Sequence, residues 1–378
     1  MIYLDEAAAA APKPEVLEAM WPYLTTGFAN PASRHDPGLA AEDALERARR
    51  RVAEHLGARP AEIIFTSGGT ESDNAAVKGI ALAAPRGRHV LVSAAEHPAV
   101  LESAQWLRRF GFEVEQIPVD AEGVVAAEAL DQALRPDTTL VSIQTANGEV
   151  GTVQDIPALS AVTSRHGVPF HTDAVQAGGA VHFGVSGRLD VGELGVQALS
   201  LAGHKLGTPK GVGVLYLRRR TPFEPLVHGG GQQRGHRSGT ENVAGAVGMA
   251  VALDVAAGYE VPAWRRRRDE FIAGIEQAVP GAHLTGRRDP RLPGHTSFVF
   301  EGRSGESLLL DLQQQGVVCS AGSACAAGNN EPSPVLLAMG YSADQAQTAV
   351  RFTFGPETPR DHLQRTVEIL SEAVPAVP

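Results

Sequence analysis

Cysteine is scarce in this chain: there are two in 378 residues, Cys319 and Cys325, six positions apart. A secreted framework of this size would carry more of them, so a disulfide scaffold is excluded and both thiols are expected to be free. Long apolar runs are missing as well. No stretch approaches the roughly 18 apolar residues of a membrane helix, and the opening MIYLDEAAAA lacks a basic segment leading into a hydrophobic one. A cytoplasmic location without membrane attachment is the expectation. Positive charge is in deficit, with 33 Lys and Arg against 43 Asp and Glu and a net charge of −10. That balance excludes nucleic acid as the main ligand, because neutralising phosphates needs an excess of cations. The arginine runs at 218–220 and 265–268 are read as solvated surface, with docking of an acidic protein partner as the alternative. No internal repeat or low-complexity linker divides the chain.

What is present is an alternation. EIIFTSG, HVLVSAAEH, EVEQIPV, TLVSIQTA, VPFHTDAVQ, QALSLAGHK and GVGVLYLRR read as strands, and helical patterns fall at residues 71–84, 98–110, 126–134 and 155–167 between them. The apolar strands are continuous rather than every-other, which predicts an α/β domain whose mostly parallel sheet is covered on both faces. After about residue 250 the pattern changes. Helical segments at 264–279 and 360–374 bracket HTSFVFEG, a helical patch at 306–315 and AVRFTFG, the mark of an α+β unit. The expected division is a large domain over 15–255 and a small domain built from 1–14 together with 256–378, the latter carrying a cysteine loop at about 319–332.

Ligands of open α/β sheets bind where loops leave the carboxyl ends of the strands, and the polar residues here gather at those ends. FTSGGTESDN runs from a strand through two glycines into a helix, so the backbone N–H groups of Gly69 and Thr70 and the helix dipole face an anion. The loop has neither the Lys of a Walker motif nor the dinucleotide fingerprint, and by itself an ordinary capped helix start explains it equally well. His97 ends the next strand, Asn147 another, and Asp173 and Gln176 a further one; a lone His at such a position is more often structural. Lys205 leaves an apolar strand, where partial desolvation favours the free amine that forms an imine. An amine, a carboxylate, an imidazole and an anion cup on neighbouring strand ends together meet the needs of pyridoxal 5′-phosphate, with Asp173 keeping the ring nitrogen protonated. His97, His171, His204 and the cysteines show no recognised metal-ligand spacing, so no metal is expected.

These residues resemble the cysteine desulfurases, the class V branch of the fold-type I pyridoxal-phosphate enzymes that supply sulfur for iron–sulfur clusters and tRNA thiolation. The resemblance rests on YLDEAA, NPASRH, FTSGGTESDN, AEHPAVL, NGEVGTVQDI, HTDAVQ, GHKLGTPKGVGVLY, HGGGQQRGHRSGTEN, GESLLLDL, CSAGSACAAGNNEPSPVL and VRFTFG, in the family's order over nearly the whole chain. It implies Lys205 as the Schiff-base lysine, Asp173 as the pyridinium partner and His97 as the imidazole stacked on the ring. It implies Gly69, Thr70 and His204 as phosphate ligands, Asn147 and Gln176 as contacts to the ring and its oxygen, and Arg351 as the clamp for the substrate carboxylate, with Asn147 beside it. Thr240 is similar to the residue that reaches the phosphate of a neighbouring subunit, which implies a homodimer. Cys325 stands at the position of the family's nucleophile on a loop long enough to carry a persulfide to an acceptor protein, either an iron–sulfur scaffold or a tRNA thiolase. Cys319 aligns with an ordinary apolar position and is read as structural.

Two departures stand out. Alanines fill the N-terminal arm where the family commonly has two threonines, which puts side-chain contacts from that arm in question. Ala202 replaces a phosphate-binding serine found in many relatives, leaving its backbone N–H and losing about 1 kcal/mol of hydrogen bonding. The reaction implied converts L-cysteine to L-alanine: Lys205 removes the Cα proton, and the Cys325 thiolate, helped by its surroundings, takes the sulfur. A selenocysteine lyase or small aminotransferase of the same fold, and a non-enzymatic scaffold, are the competing readings.

Overall fold

The computed structural model describes residues 1–83, 85–178, 189–321 and 331–374. The chain opens with β1 (Ile2–Tyr3) and the helices α1 (Pro14–Leu24) and α2 (Asp36–His55). Strands and helices then alternate: β2 (Ile63–Thr66), α3 (Gly69–Ala83), β3 (His89–Ser93), α4 (Pro98–Leu107), β4 (Glu113–Ile117), α5 (Ala127–Ala133), β5 (Thr138–Ser142), α6 (Ile156–Arg165) and β6 (Phe170–Asp173). The short α7 (Val191–Leu194) leads to β7 (Ala198–Ala202) and β8 (Gly213–Leu217). After α8 (Val243–Ala257) and α9 (Val261–Ala278) come β9 (Ala282–Leu284), β10 (His295–Phe300), α10 (Gly305–Gln314), β11 (Val317–Val318) and β12 (Ser320–Ala321). The described chain finishes with α11 (Pro334–Ala338), α12 (Ala343–Ala346), β13 (Ala349–Thr353) and α13 (Arg360–Ala373).

The continuous apolar runs pair, among the described residues, as a seven-stranded sheet in the order β2-β8-β7-β6-β5-β3-β4. It is the expected α/β sheet, parallel throughout except for β8, which is antiparallel to both its neighbours. Side chains alternate between its faces. Val90, Val92 and Leu140 pack against α3 and α4, while Leu91, Val141 and Phe170 pack on the other face with residues of α1, α2, α6 and α8. Both faces are therefore dry, which is why these strands carry no polar alternation; each buried aliphatic side chain contributes about 1.5–3 kcal/mol.

A second, antiparallel sheet, β12-β13-β10-β9, has its own core of Phe298, Phe300 and Phe352 under α9, α10 and α13. Phe271 of α9 meets Phe352 and Phe354 edge-on at 5.8 and 6.0 Å. The N-terminus belongs to this layer, because β1 pairs with β11 and Leu4 enters the same core. From there the arm at residues 5–10 runs across to the first sheet.

Among the described residues α1, α2, α7, α8, α11 and α12 have no counterpart in the sequence reading: α1 and α2 precede its alternating region, and α7, α11 and α12 are only four or five residues long. In α8, VAGAVGMAVALDVAA, the apolar and small residues lie on every face, since the helix is buried between the sheet and α1 and α2; a helix without a polar side has no 3.6-residue signal to detect.

The expectation of solvated arginines holds for Arg218 to Arg220, which are exposed, and fails at residue 268. Arg268 shares the inward stripe of α9 with Trp264, Phe271, Ile272 and Ile275 and is 2 % exposed. Its guanidinium donates to Arg291 O at 2.8 Å and Leu292 O at 3.2 Å, and Arg267 donates to Thr358 O at 2.8 Å. Helical geometry turns one residue of a charge run inward every third or fourth position, whatever the run's average polarity. Arg268→Ala leaves two buried carbonyls without their charged donor and should cost about 2–4 kcal/mol. The exposed Arg266→Ala should stay within about 0.5 kcal/mol, and denaturant unfolding of the two variants checks the difference.

Candidate active site

Parallel strands bring their carboxyl ends to one edge, and the loops leaving β2, β3, β5, β6 and β7 meet there around a cavity of about 550 Å3. Gly69, Thr70, His97, Asp173, Gln176, Ala202, His204 and Lys205 all line it.

At the anion cup, α3 starts at Gly69, packed so close to the next loops that a Cβ there would lie 2.6 Å from Val175 Cγ2 and 3.3 Å from Ala202 Cβ. Glycine is needed for that approach. At the rim, Glu71 accepts the Ser67 N–H at 2.9 Å and a two-pronged contact from Arg237 at 2.8 and 3.2 Å. Its burial would raise its pKa, yet these bonds hold it below the ordinary value. His204 and Lys210 complete the cup. Burial, reinforced by Lys205 and Lys210, pushes the His204 pKa down to about 4, so its imidazole is neutral among positive neighbours. An anion in the cup relieves that pressure.

Lys205 follows β7 in a short 3-10 turn and donates through Nζ to the carbonyls of Ala7 and, at 2.9 Å, Ala8. The Gln176 amide reaches the same Ala7 carbonyl at 3.1 Å. His97 caps α4, its Nδ1 accepting from Ala99 N at 3.1 Å, which places the proton of the neutral ring on Nε2. Burial lowers its pKa; Asp173 opposes this and Lys205 adds to it.

Asp173 is 6 % exposed and accepts the Val175 N–H at 2.8 Å. Burial raises its pKa, and that hydrogen bond, His97 and Lys205 pull it back. Two further acids lie beside it. Asp73 of α3 and Glu96 are buried, each with one carboxyl oxygen lacking a partner. Burial, with Asp173's charge adding to it, holds both well above the carboxylate range, against a Ser200 hydrogen bond to Asp73 and the Gln144 N–H on Glu96 at 2.7 Å. Three carboxylates in one dry site do not all ionise, and Asp173 is the one beside Lys205 and the His97 imidazole. Behind them His171, fully buried between Ser142 and Ser200 at 2.8 and 3.0 Å, is pushed down to about 3 by burial. It is a neutral structural residue of β6.

Asn147, Arg351 and Thr240 do not line the cavity. Asn147 is buried, with its carboxamide fully engaged: it donates to Ala95 O at 3.0 Å and, within its own turn, accepts from Glu149 N and Val150 N, both at 2.8 Å. Its neighbours Ala146 and Gly148 form the wall instead. Arg351 sits behind Gly148, donating to the Gly148 carbonyl at 3.0 Å and to Asp5 Oδ1 at 2.9 Å, while its Nε is buried without an acceptor. Thr240 is exposed and away from the cup of its own chain. Cys325 lies outside the described residues. The chain enters its segment from β12, where Ser320 pairs with Arg351, and Ser333 follows it. Cys319 packs against the second core, and burial drives its thiol far above the ordinary pKa, leaving it protonated and unreactive. Among the described residues no group of three or more His, Cys, Asp or Glu is arranged to hold a metal ion.

Residues 2–366 match the family model described as Aminotransferase class-V. The chain belongs to that family, and within it to the cysteine desulfurases. It is 44 % identical over 377 residues to cysteine desulfurase IscS of Dictyoglomus turgidum, covering 99 % of this chain and 94 % of the relative. A solved structure of a NifS-like protein superposes with a TM-score of 0.90 at 34 % identity over 98 % of both chains. Another, SspA in complex with cysteine, does so with a TM-score of 0.84 at 34 % identity, over 95 % of this chain and 100 % of that one. The mostly parallel sheet at whose edge the cavity opens is thus the fold-type I architecture of the family.

Reading this desulfurase from sequence passes over Asp5, Asp73, Glu96 and Glu149. All four stand inside the recognised motifs, but only Glu149, between Gly148 and Val150, has the small and apolar flanks that signal an unsolvated acid; Asp5, Asp73 and Glu96 adjoin Glu6, Asn74 and His97. Because the folded chain keeps Glu96 protonated to a higher pH than the unfolded chain does, unfolding releases a proton and Glu96 costs stability as pH rises above the ordinary carboxylate range. Glu96→Gln keeps the acceptor for Gln144 N and removes this cost. Denaturant titrations at about pH 5 and pH 8 should show the variant gaining stability on wild type at the higher pH; an equal difference at both contradicts a raised Glu96.

Proposed function

We propose that this cysteine desulfurase works on pyridoxal 5′-phosphate held by Lys205 and collects the sulfur of L-cysteine as a persulfide on Cys325. The residues present fit that cofactor. Lys205 supplies the amine, Asp173 the buried carboxylate for a ring nitrogen, and the start of α3 with His204 and Lys210 the anion cup, all in one cavity. That convergence carries the reading.

When bound, the cofactor withdraws electrons from the substrate carbon attached to its amine. The chain's own residues do the rest. Asp173 stabilises positive charge at the ring nitrogen, and the neutral neighbours Asp73 and Glu96 leave it as the seat of the negative charge. Lys205 Nζ, displaced by the substrate amine, takes the Cα proton. The unsatisfied Nε of Arg351 supports its assignment to the substrate carboxylate, which supplies the acceptor that this buried group lacks. The Cys325 thiolate attacks the substrate sulfur: an S–S bond forms as the Cβ–S bond breaks, the electron pair stays with the carbon skeleton, and protonation releases L-alanine. Atoms and electrons balance without an added oxidant. The persulfide then passes to an acceptor protein, an iron–sulfur scaffold or a tRNA thiolase, in the cytoplasm.

Cys325→Ser should give a cofactor-loaded protein that forms neither alanine nor persulfide from L-cysteine, and Cys319→Ser should retain both. Alanine release by the first variant, measured by amino-acid analysis, removes Cys325 from the reaction.

The working unit is a homodimer. Leu17, Trp21 and Leu24 of α1, with Phe28 beyond it, are exposed by 44, 65, 58 and 81 %, a stripe of apolar surface that a second copy covers. Exposed Thr240 then serves the partner's cup. Trp21→Glu combined with Phe28→Glu should shift the protein toward monomer in sedimentation and lower its cofactor content together; a dimer of unchanged stability rules this face out.

A further inference from the structure

The tripeptide Asn147-Gly148-Glu149 joins parts of the site that lie far apart in sequence. The Asn147 side chain holds Ala95, next to Glu96 and His97. The Gly148 carbonyl accepts from both Arg351, at 3.0 Å, and His295 Nε2, at 2.9 Å, so the turn is fastened to β13 and β10 of the second sheet. The Glu149 carboxylate accepts the hydroxyl of Ser333, which follows the Cys325 segment in sequence and caps α11 by accepting Leu336 N at 3.2 Å. Upstream of that segment, Ser320 is paired across the strands with Arg351. The downstream end of the segment is therefore bonded to this turn, and the upstream end is paired with the arginine that the turn's Gly148 carbonyl holds. Cys325 is five residues beyond one anchor and eight before the other. An extended chain spans at most about 18 Å and about 28 Å over those lengths.

Glu149 is an unexpected residue to find there. It is a half-buried acid whose pKa is pushed up to about 7 by desolvation, against the pull of the Ser333 hydrogen bond and Arg351. Packing alone would be served better by an apolar residue, since an acid at this depth costs free energy that only a specific partner returns. The partner it has is Ser333.

Building on the assignment of Cys325 as persulfide carrier, we propose that Glu149 is a positioning residue for sulfur transfer, tying the Ser333 end of the Cys325 segment to the cavity wall beside Arg351. Fixing that end restricts the volume open to the thiol and so raises its effective concentration at the substrate sulfur. Glu149 acts through Ser333 and touches no reacting atom.

The test separates binding from transfer in single-turnover experiments on the cofactor-loaded protein. L-cysteine binding is read from the cofactor's visible spectrum, and persulfide on Cys325 by alkylation and peptide mass spectrometry. Glu149→Ala and Ser333→Gly should each slow persulfide formation by about tenfold, the scale of one hydrogen bond to a charged group, with the spectral response to L-cysteine unchanged. Glycine is chosen because it keeps the α11 N-terminus within a few tenths of a kcal/mol. The double variant should be no slower than either single one, and Glu149→Gln, which still accepts from Ser333, should recover most of the rate. Wild-type transfer rates in both single variants overturn the proposal. So does a loss of L-cysteine binding in step with transfer, which places Glu149 on the substrate side through Arg351, and so does a Gln variant as slow as Ala. Failure of the underlying assignment looks different: wild-type protein then carries no persulfide on Cys325.

Discussion

A carboxylate stays charged inside a protein only with a cation or hydrogen-bond donors to hold it, and the cavity is organised by that constraint. Asp173 ends β6 in a dry site already occupied by Asp73 and Glu96. Only Asp173 faces Lys205 and His97, so the negative charge settles there, at the position where a protonated heterocycle would need it. The same economy keeps His204 and His171 neutral. Removing a neighbour therefore changes which group is charged as well as how strongly something binds.

The N-terminal arm is the second organising feature. Its Ala7 and Ala8 carbonyls take up Lys205 and Gln176, and its Asp5 takes up Arg351. The arm is anchored by the pairing of β1 with β11, so Lys205 and Gln176 at the edge of the first sheet and the arginine of β13 are all held by one short stretch of chain. The alanines that replace the family's threonines matter little to this role, because the contacts come from main-chain oxygens that every residue supplies.

The strand-end residues were legible because parallel strands necessarily bring their carboxyl ends together; once β3, β6 and β7 are recognised, His97, Asp173 and Lys205 must share an edge. Arg351, Asn147 and Thr240 were legible as residues but not as geometry. Arg351 is closed onto Asp5, a residue 346 positions away, and Asn147 spends its amide N–H on the Ala95 carbonyl and its oxygen on its own turn. Arg268 was misread because composition does not reveal which helix face a run of like residues occupies, and α8 was passed over because full burial removes the polar stripe that marks a helix.

By itself the amino-acid sequence determined the α/β layering, the family and the chemical kinds of group at the strand ends, since those follow from local periodicity and chain order. Tertiary structure alone decided which acids share one dry site and which of them carries the charge. It also decided which acceptors hold Lys205 and Arg351, and that Ser333 is tied to Glu149. Ionisation and hydrogen bonding depend on burial and on neighbours brought in from distant parts of the chain, and neither is encoded in any single stretch of residues.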